Sequence, residues 1–573
     1  MTIILGINVL HSDSSACIIN DGELVCAIEE ERLNRKKHTA QFPILAIEEC
    51  IKIAGINKNH ITDIAINNNP KSNILQKLFF TLKNVKIQKD NEFIKRFKNK
   101  INLKKFICDK LNIKKNIKFH NIEHHLSHIA SAYFPSNFNK TNALSIDGSG
   151  DFASLAIGEC NDQKIKITNK IYFPDSLGIF YQAMTQFLGF KNYGDEYKIM
   201  GLAPYGKPIY FEKIKNNLFK ESKLFFKLNQ KFFFHNDINF KYQNKITENI
   251  NDIYNDKLSL LFKEDIEKSD TLENFKKNFA SSTQKIFEHF FDKILNYISN
   301  KNYSSNLVYA GGCALNSSAN NILTSKKYFE NFFIPMAPGD NGGAIGAALL
   351  VNSKYSSNQK NFSNPYLGNS YNNNEIELTI NNKFKNLIKF QKLDNISNIC
   401  DLASNMIING KVIGWFQGKM EFGPRALGNR SILADPRNPN MKNIINQKIK
   451  RRESFRPFAP SILAEFQDSW FEEHFDNKYM SSVMTVKKEK IEIIPAVVHI
   501  DGTSRVQTVK RENNENYYNL INSFYSKTRV PILLNTSFNE NEPIVRTLEE
   551  TLECFLRTDI DALFINLFLV QKK

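Results

Sequence analysis

The sequence predicts a two-domain protein of mixed α/β and α+β class, and three observations lead there. The chain runs to 573 residues, too long for one hydrophobic core. A layout of strand, polar turn, apolar strand, second turn and third strand occurs near the N-terminus and again after residue 140. An Asn-, Ser- and Tyr-rich stretch over 352–374 reads as a surface linker. It sets a boundary near residue 355 and gives domains of 1–355 and 356–573.

The first copy of the repeated layout is ILGINVLHSDSSACIINDGELVCAIEEER, whose Asn-Asp-Gly is a hairpin signal. The second is NALSIDGSGDFASLAIGECNDQKIKITNKIYF. In each, the polar turn follows the first apolar strand. Asn8, His11 and Asp13 in one copy, and Asp147, Ser149 and Asp151 in the other, are therefore placed to face a shared cleft. A duplicated hairpin beginning of this kind resembles the actin and sugar-kinase type of nucleotide-binding fold.

Between the copies lies NIEHHLSHIASAYF, which holds His124, His125 and His128, with His120 just before it. His124 and His128 are i and i+4, so they project from one face if the segment is helical and can grip one metal ion. A zinc protease of the H-E-x-x-H type needs glutamate after the first histidine, but His125 stands there. Two such histidines also serve as a solvated or hydrogen-bonded pair, and further ligands must come from elsewhere.

From Leu272 to Asn300 the period becomes helical, with Phe279, Ile286, Phe287, Phe290, Phe291, Ile294 and Ile298 on one core stripe. NLVYAGGCALNSSANNIL follows, where Gly311 and Gly312 allow close backbone approach to a ligand or simply a tight strand-to-helix turn. FFIPMAPGDNGGAIGAALL then sets Asp340 on a glycine-rich loop before an apolar helix, as an N-cap or a ligand.

Past the linker, Gly418, Gly423, Pro424 and Gly428 punctuate a run holding Arg425, Arg430, Arg437, Lys450, Arg452 and Arg456. These charges sit among Phe, Pro and Gly instead of along a polar helix. That favours an anion pocket, since guanidinium forks suit phosphate and carboxylate oxygens. HIDGTSRVQTV and ILLNTSFNENEPIV add Asp501, Arg505, Gln507, Asn535, Ser537 and Asn539 as donors and acceptors.

Composition narrows the class. A hydrophobic content of 42% is ordinary for a globular chain, and no apolar run reaches membrane-spanning length. MTIILGINVL lacks a basic n-region and a small-residue cleavage site, so a cytoplasmic protein with no membrane contact is expected. The eight cysteines show no C-x-x-C pair, which predicts reduced thiols and no cysteine-based metal site. A net charge of +17 raises nucleic acid, above all through the lysine-rich stretch 71–118. Lysine there alternates with Asn and Ile, as along most of the chain, and reads as a solvated face without a nucleic-acid motif.

Ten motifs now stand in order: HSDSSACII, EEERLNRKKH, HHLSHIASAYFP, LSIDGSGD, GDEYKIMGLAPYG, AGGCALN, APGDNGGAIGAA, FGPRALGNRS, ESFRPFAPS and NTSFNENEPIV. Together they resemble the O-carbamoyltransferases of the nodulation-protein, cephalosporin- and tobramycin-pathway type, over Gly6 to Val545. The resemblance implies an N-terminal duplicated actin-like domain similar to the threonylcarbamoyl-adenosine transferases. It implies a C-terminal domain similar to the threonylcarbamoyl-adenylate synthases. Carbamoyl phosphate and ATP, the latter with Mg, would give carbamoyl-adenylate, phosphate and pyrophosphate. The carbamoyl group would then pass to a hydroxylated small-molecule acceptor, a sugar or natural product, with release of AMP.

The same resemblance implies a divalent metal, Fe(II) in the related transferases, at His124, His128, Asp147 and Asp340, with His125 pointing away. By donor chemistry the set also suits Mn(II) or Zn(II). It implies His11, His38 and Asp13 as catalytic residues, with His11 the favoured base. Gly311, Gly312, Asn316 and Lys198 would bind nucleotide in the transfer domain. Arg425, Lys450, Arg452, Arg456, Arg505, Asn535 and Ser537 would hold carbamoyl phosphate and ATP in the adenylation domain. Because carbamate is unstable in water, an enclosed route between the two halves is expected. Segment 210–268, which carries none of the motifs, is expected to shape acceptor choice, and a homodimer is the candidate assembly. The rival readings are a metal-dependent ATPase or kinase of the actin-like fold, a threonylcarbamoyl transferase acting on tRNA, and a non-enzymatic binding module. ADP as product marks a kinase, AMP with pyrophosphate the carbamoyl route, and no turnover a binding module.

Overall fold

A computed structural model describes residues 2–84, 103–113, 117–222, 224–237, 251–356 and 362–573. Parts of the lysine-rich stretch 71–118 and of segment 210–268 lie outside the described residues. The chain divides into two compact units, Met1–Ser363 and Asn364–Lys573. That division and the one expected near residue 355 both fall within the Asn- and Ser-rich stretch 352–374.

The first unit holds two five-stranded sheets of one design. The first comprises β1 (Ile3–Asn8), β2 (Ser15–Asn20), β3 (Glu23–Glu29), β4 (Asp63–Ile66) and β5 (Lys118–Asn121), in the order β3-β2-β1-β4-β5. β2 is antiparallel to both β1 and β3, whereas β4 runs parallel to β1 and β5 to β4. The second comprises β6 (Lys140–Gly150), β7 (Ala153–Asn161), β8 (Lys164–Tyr172), β9 (Asn306–Ala310) and β10 (Asn331–Phe333), in the order β10-β9-β6-β7-β8. Its strand directions repeat the first. The duplication seen in the hairpins thus extends to both sheets.

Local chemistry explains the repeat. Both β2–β3 and β7–β8 turn through two residues of positive φ, Asp21 and Gly22 at 44° and 84°, then Asp162 and Gln163 at 48° and 62°. Such turns match the right-handed twist of the strands they join. β1 is buried along its whole length, so IILGIN is continuously apolar up to its final Asn instead of alternating.

Three helices matter for the site: α1 (His124–Tyr133), α2 (Leu272–Ser299) and α3 (Gly342–Asn352). α2 buries every member of the predicted aromatic and aliphatic stripe. It starts at Thr271, whose side chain accepts from Asn274 N–H. Aromatic residues of segment 210–268 join that core: Tyr210 and Phe262 pack against Phe275 and Phe279 of α2. α3 is apolar all round because it is enclosed, lying against both β1 and α1. A Cβ at Gly346 of α3 would stand 1.8 Å from the Ser127 carbonyl oxygen of α1, so only glycine allows this approach.

The second unit is built on a mixed eight-stranded sheet. Its strands are β11 (Ile388–Lys392), β12 (Ile413–Phe416), β13 (Arg430–Ala434), β14 (Ala459–Leu463), β15 (Gln507–Val509), β16 (Ile532–Ser537), β17 (Ala562–Ile565) and β18 (Phe568–Lys572). They lie in the order β11-β18-β17-β12-β13-β16-β14-β15. α4 (Ile396–Ile408) and α5 (Glu515–Thr528) pack together, and their buried faces join one core with the sheet. All eight cysteines are free, and among the described residues no helix is long and apolar enough to cross a membrane.

Gly346→Ala should force the two helices apart. The expected result is a loss of about 1–3 kcal/mol, the usual range for overpacking, read as a lower melting temperature. Unchanged stability would show that the close approach is not needed.

Candidate functional site

α1 begins where Glu123 caps it, its carboxylate accepting from Leu126 N–H at 2.8 Å. Asp151 tightens the same end by accepting from His124 N–H at 3.1 Å. The helix therefore starts at His124, and i to i+4 spacing brings His128 beneath it. β6 supplies Asp147, and the loop before α3 supplies Asp340. The four side chains converge: one ligand atom from each lies within 4.8 Å of the others. His124 Nε2 is 2.9 Å from Asp147 Oδ2 and 3.5 Å from Asp340 Oδ1. His128 Nε2 is 3.6 and 3.5 Å from the same two oxygens.

This donor set fits a divalent cation. The two Nε2 atoms face each other at 3.0 Å, where at most one can donate. Asp340 Oδ1 is buried and makes no hydrogen bond among the described residues. Burial pushes the Asp340 carboxyl up, and the neighbouring charge of Asp147 adds to this. Burial also acts on Asp147, but the hydrogen bonds and charges of His124 and His128 outweigh it and hold that carboxyl well below the usual range. Burial opposes charge on His128, yet Asp147 and Asp340 lift its imidazole to about 9. Two imidazoles and two carboxylates give a mixed N/O set suited to Fe(II), Mn(II) or Zn(II).

Outer contacts hold the ligands. Gly312 N–H donates to Asp147 Oδ1 at 2.9 Å, and Ser12 Oγ donates to Asp340 Oδ2 at 3.1 Å. His125 turns away to Ser145 Oγ at 2.8 Å, and burial drops its imidazole to about 4.

The first polar turn flanks the cluster on two sides. Asn8 shapes it by donating to the carbonyls of Ser12 and Asp13, both at 3.0 Å. His11 lies against His124 with ring centroids 4.5 Å apart, and Asn68 Nδ2 approaches its Nε2 at 3.2 Å. Asp13, near His11 in sequence, instead pairs with His38, Oδ1 to Nδ1 at 2.8 Å. Burial works against charge on His38, but Asp13 outweighs it, with Glu31 and Glu196 adding, and the imidazole rises to about 9. Tyr193 bonds Ser12 through its hydroxyl and sets its ring edge-on to His38 at 5.5 Å.

The expected nucleotide residues have structural partners here. Gly312 serves Asp147, and Asn316 exchanges hydrogen bonds with Gln284 while capping the next helix. Lys198 pairs with Asp195 at 3.1 Å. Sequence reasoning missed Asn68, Ser12 and Tyr193. The Asn67-Asn68-Asn69 run directly after β4 was the available signal, because ligands in such sheets gather at the carboxyl ends of strands.

In the second unit the arginine-rich run separates into two groups. Arg430 is fully buried on the Phe416 ring and donates to the carbonyls of Gln417, Asn429, Asn369 and Gly418. Arg437 is forked onto Asp435. Both are framework, because the terminal nitrogens of Arg430 and the Nε and Nη2 of Arg437 are already taken up by the protein. Lys450 was expected to neutralise phosphate, but its buried ammonium donates to the carbonyls of Ser537 and Asn539 and to Asn539 Oδ1. Asn535 is likewise turned inward, to the Ala426 carbonyl, Ser461 and Gln507, and Ser537 Oγ donates to Asn539 Oδ1.

The other group is Arg425, Arg452, Arg456 and Arg505. Arg452 holds Asn446 at 2.7 Å and Arg456 lies 3.6 Å from Glu453. Arg425 and Arg505 make no hydrogen bond and no ion pair among the described residues. Burial lowers Arg425 to about 10. Burial, then the charges of Arg425, Arg452 and Arg456, push Arg505 well below the ordinary guanidinium value. Arg425, Arg452 and Arg456 lie close enough for their charges to act on Arg505, and guanidinium groups so placed suit a multiply charged anion.

Two family models match the chain, one within each unit. The family described as Carbamoyltransferase N-terminus matches residues 3–349, and Carbamoyltransferase C-terminus matches 404–572. The chain belongs to the carbamoyltransferase family and is an enzyme. It is 34% identical to nodulation protein NolNO of Sinorhizobium fredii, over 99% of this chain and 80% of that protein. It is 30% identical to the 3'-hydroxymethylcephem-O-carbamoyltransferase of Amycolatopsis lactamdurans, over 46% of this chain and 47% of that protein. Among solved structures, (R)-2-hydroxyglutaryl-CoA dehydratase component A of Acidaminococcus fermentans covers 62% of this chain and all of its own, with 13% identity and a TM-score of 0.32.

Replacing both His124 and His128 by Ala should abolish metal retention after purification, measured as metal per chain. Full retention would remove the cluster from consideration.

Proposed function

We propose that this protein is an O-carbamoyltransferase that makes carbamoyl-adenylate in its second unit and transfers the carbamoyl group in its first. Arg425 and Arg505 carry the adenylation half of this reading. Among the described residues they have no protein counter-charge, and ATP and carbamoyl phosphate are polyanions. A threonylcarbamoyl-adenylate-synthase-like second unit is part of the proposal.

The chemistry balances in two stages. Carbamoyl phosphate and water yield carbamate and phosphate. A carbamate oxygen attacks the α-phosphorus of ATP, the α–β phosphoanhydride bond breaks, and pyrophosphate leaves. Arg425, Arg452, Arg456 and Arg505 would neutralise the charge that builds on these oxygens. In the first unit the acceptor hydroxyl oxygen bonds to the carbamoyl carbon, the carbon–oxygen bond to phosphate breaks, and AMP departs. The hydroxyl proton passes to a base in the cleft that His11 and His38 line. A divalent ion held by His124, His128, Asp147 and Asp340, proposed as Fe(II), would supply Lewis-acid polarisation of a carbonyl or phosphate oxygen. Gly312 and Ser12 keep the two carboxylates oriented for it.

The acceptor class follows from relatives. The cephem enzyme is named for carbamoylating a hydroxymethyl group, so a sugar or natural-product hydroxyl is proposed here. Mass spectrometry of a panel of hexoses and aminosugars, incubated with enzyme, ATP and carbamoyl phosphate, should show one carbamoyl addition. The nucleotide product should be AMP. ADP would instead support an ATPase or kinase.

Arg425→Ala and Arg505→Ala should each lower pyrophosphate release about tenfold to a hundredfold, the range for a lost charge-assisted contact. Transfer from supplied carbamoyl-adenylate should persist. Unchanged pyrophosphate release in both variants would move adenylation elsewhere.

A further inference from the structure

Two histidines border the metal-ligand cluster, and their partners set them in opposite hydrogen-bonding senses. Asn68 fixes the first. Its Nδ2 lies 3.2 Å from Asp151 Oδ1 and 3.2 Å from His11 Nε2. The Asp151 carboxylate can only accept, so the atom facing it must be the amide nitrogen; a flipped amide would set two acceptors against each other. That nitrogen carries two hydrogens, one for each neighbour. His11 Nε2 is therefore the acceptor, and its imidazole proton sits on Nδ1. Asp151 is itself anchored, accepting from Asn69 N–H at 2.8 Å and from the first N–H of the His124–His128 helix.

His38 is arranged the other way. Asp13 Oδ1 takes its Nδ1–H, and Nε2 is the nitrogen left to exchange a proton. This is the relation of a base to its orienting carboxylate. Gly194, at φ +86°, lies beside that edge, where a Cβ would stand 2.2 Å from His38 Nε2. Ser12 links this side to the cluster, bonded both to Tyr193 and to Asp340.

We infer that His38 is the base that takes the acceptor proton at Nε2, and that Asp151, acting through Asn68, makes His11 a donor through Nδ1–H. The inference rests on the transfer reaction proposed above. As the acceptor oxygen bonds to the carbamoyl carbon, its O–H bond breaks and the proton moves to His38. The bond to phosphate breaks with its electron pair leaving on AMP, and His38 later returns the proton to solvent. Asp151 and Asn68 are positioning residues. The charged and titratable groups facing His38 are Asp13, Glu31, Glu196 and Tyr193. Its imidazole stands at about 9, so transfer requires loss of that proton and should rise with pH toward about 9.

The test uses a property of asparagine: its Nδ2 occupies the place of histidine Nδ1. Preformed carbamoyl-adenylate is mixed with full-length enzyme, water serves as the acceptor probe, and AMP release above the enzyme-free rate is followed in a single turnover. His11→Asn should retain more of the rate than His11→Ala and should keep the rise with pH. His38→Asn should lose about a hundredfold or more and flatten the pH profile. Collapse of His11→Asn with a normal His38→Asn overturns the inference. Nitrogen NMR of histidine-labelled, zinc-loaded protein provides a readout independent of turnover, and should show His11 Nε2 without a proton. A proton on Nε2 there overturns the role of Asn68. If wild-type enzyme fails to consume carbamoyl-adenylate at all, the transfer reaction itself is wrong.

Discussion

Asp147, buried, and Asp340, partly buried, are carboxylates that share one pair of imidazoles, and the first unit is organised around keeping the four together. Two like charges in so small a volume repel, and only cations nearby make the arrangement stable. The histidines supply part of that charge, as their effect on Asp147 shows. Each ligand comes from a different place in the chain, so close backbone approach is needed to gather them. Gly346 allows it by letting the helix after Asp340 lie on the helix that carries His124 and His128. Asp151 fixes where the histidine helix begins, and Gly312 orients Asp147.

The second unit solves the opposite problem. It places guanidinium groups near one another and pairs only some of them. Arg430 and Arg437 show what framework arginines look like here: both terminal nitrogens of Arg430 end on carbonyls, and Arg437 is forked onto a carboxylate. Among the described residues Arg425 and Arg505 lack such ends; burial lowers the proton affinity of both, and the charges of Arg425, Arg452 and Arg456 lower that of Arg505 further. On the proposed reading, the repulsion felt by Arg505 is relieved when a polyanion binds. This contrast within one stretch of sequence separates the proposed binding group from framework.

Much of the fold was legible because it is periodic. The doubled hairpins, the aromatic stripe of the helix over Leu272–Ser299 and the apolar run of the first strand each follow from local patterning. The grouping of His124, His128, Asp147 and Asp340 was legible through resemblance, since Asp340 lies far along the chain from His124 and only tertiary contact joins them. Hydrogen-bond partners were not legible. Asp13 pairs with His38 instead of its sequence neighbour His11, and Lys450 turns inward to Ser537 and Asn539. Charge alone could not separate Arg430 from Arg505, because burial and available carbonyls decide which guanidinium is satisfied.

The central claim is that one chain forms an acyl-adenylate and spends it elsewhere in the same molecule. The direct test is exchange of radiolabelled pyrophosphate into ATP, followed with and without carbamoyl phosphate. Adenylate formation is reversible only through pyrophosphate, so exchange reports that step without any acceptor. The account predicts exchange that depends on carbamoyl phosphate and survives the loss of His124 and His128. Absence of exchange in wild-type enzyme that still turns over ATP would contradict it.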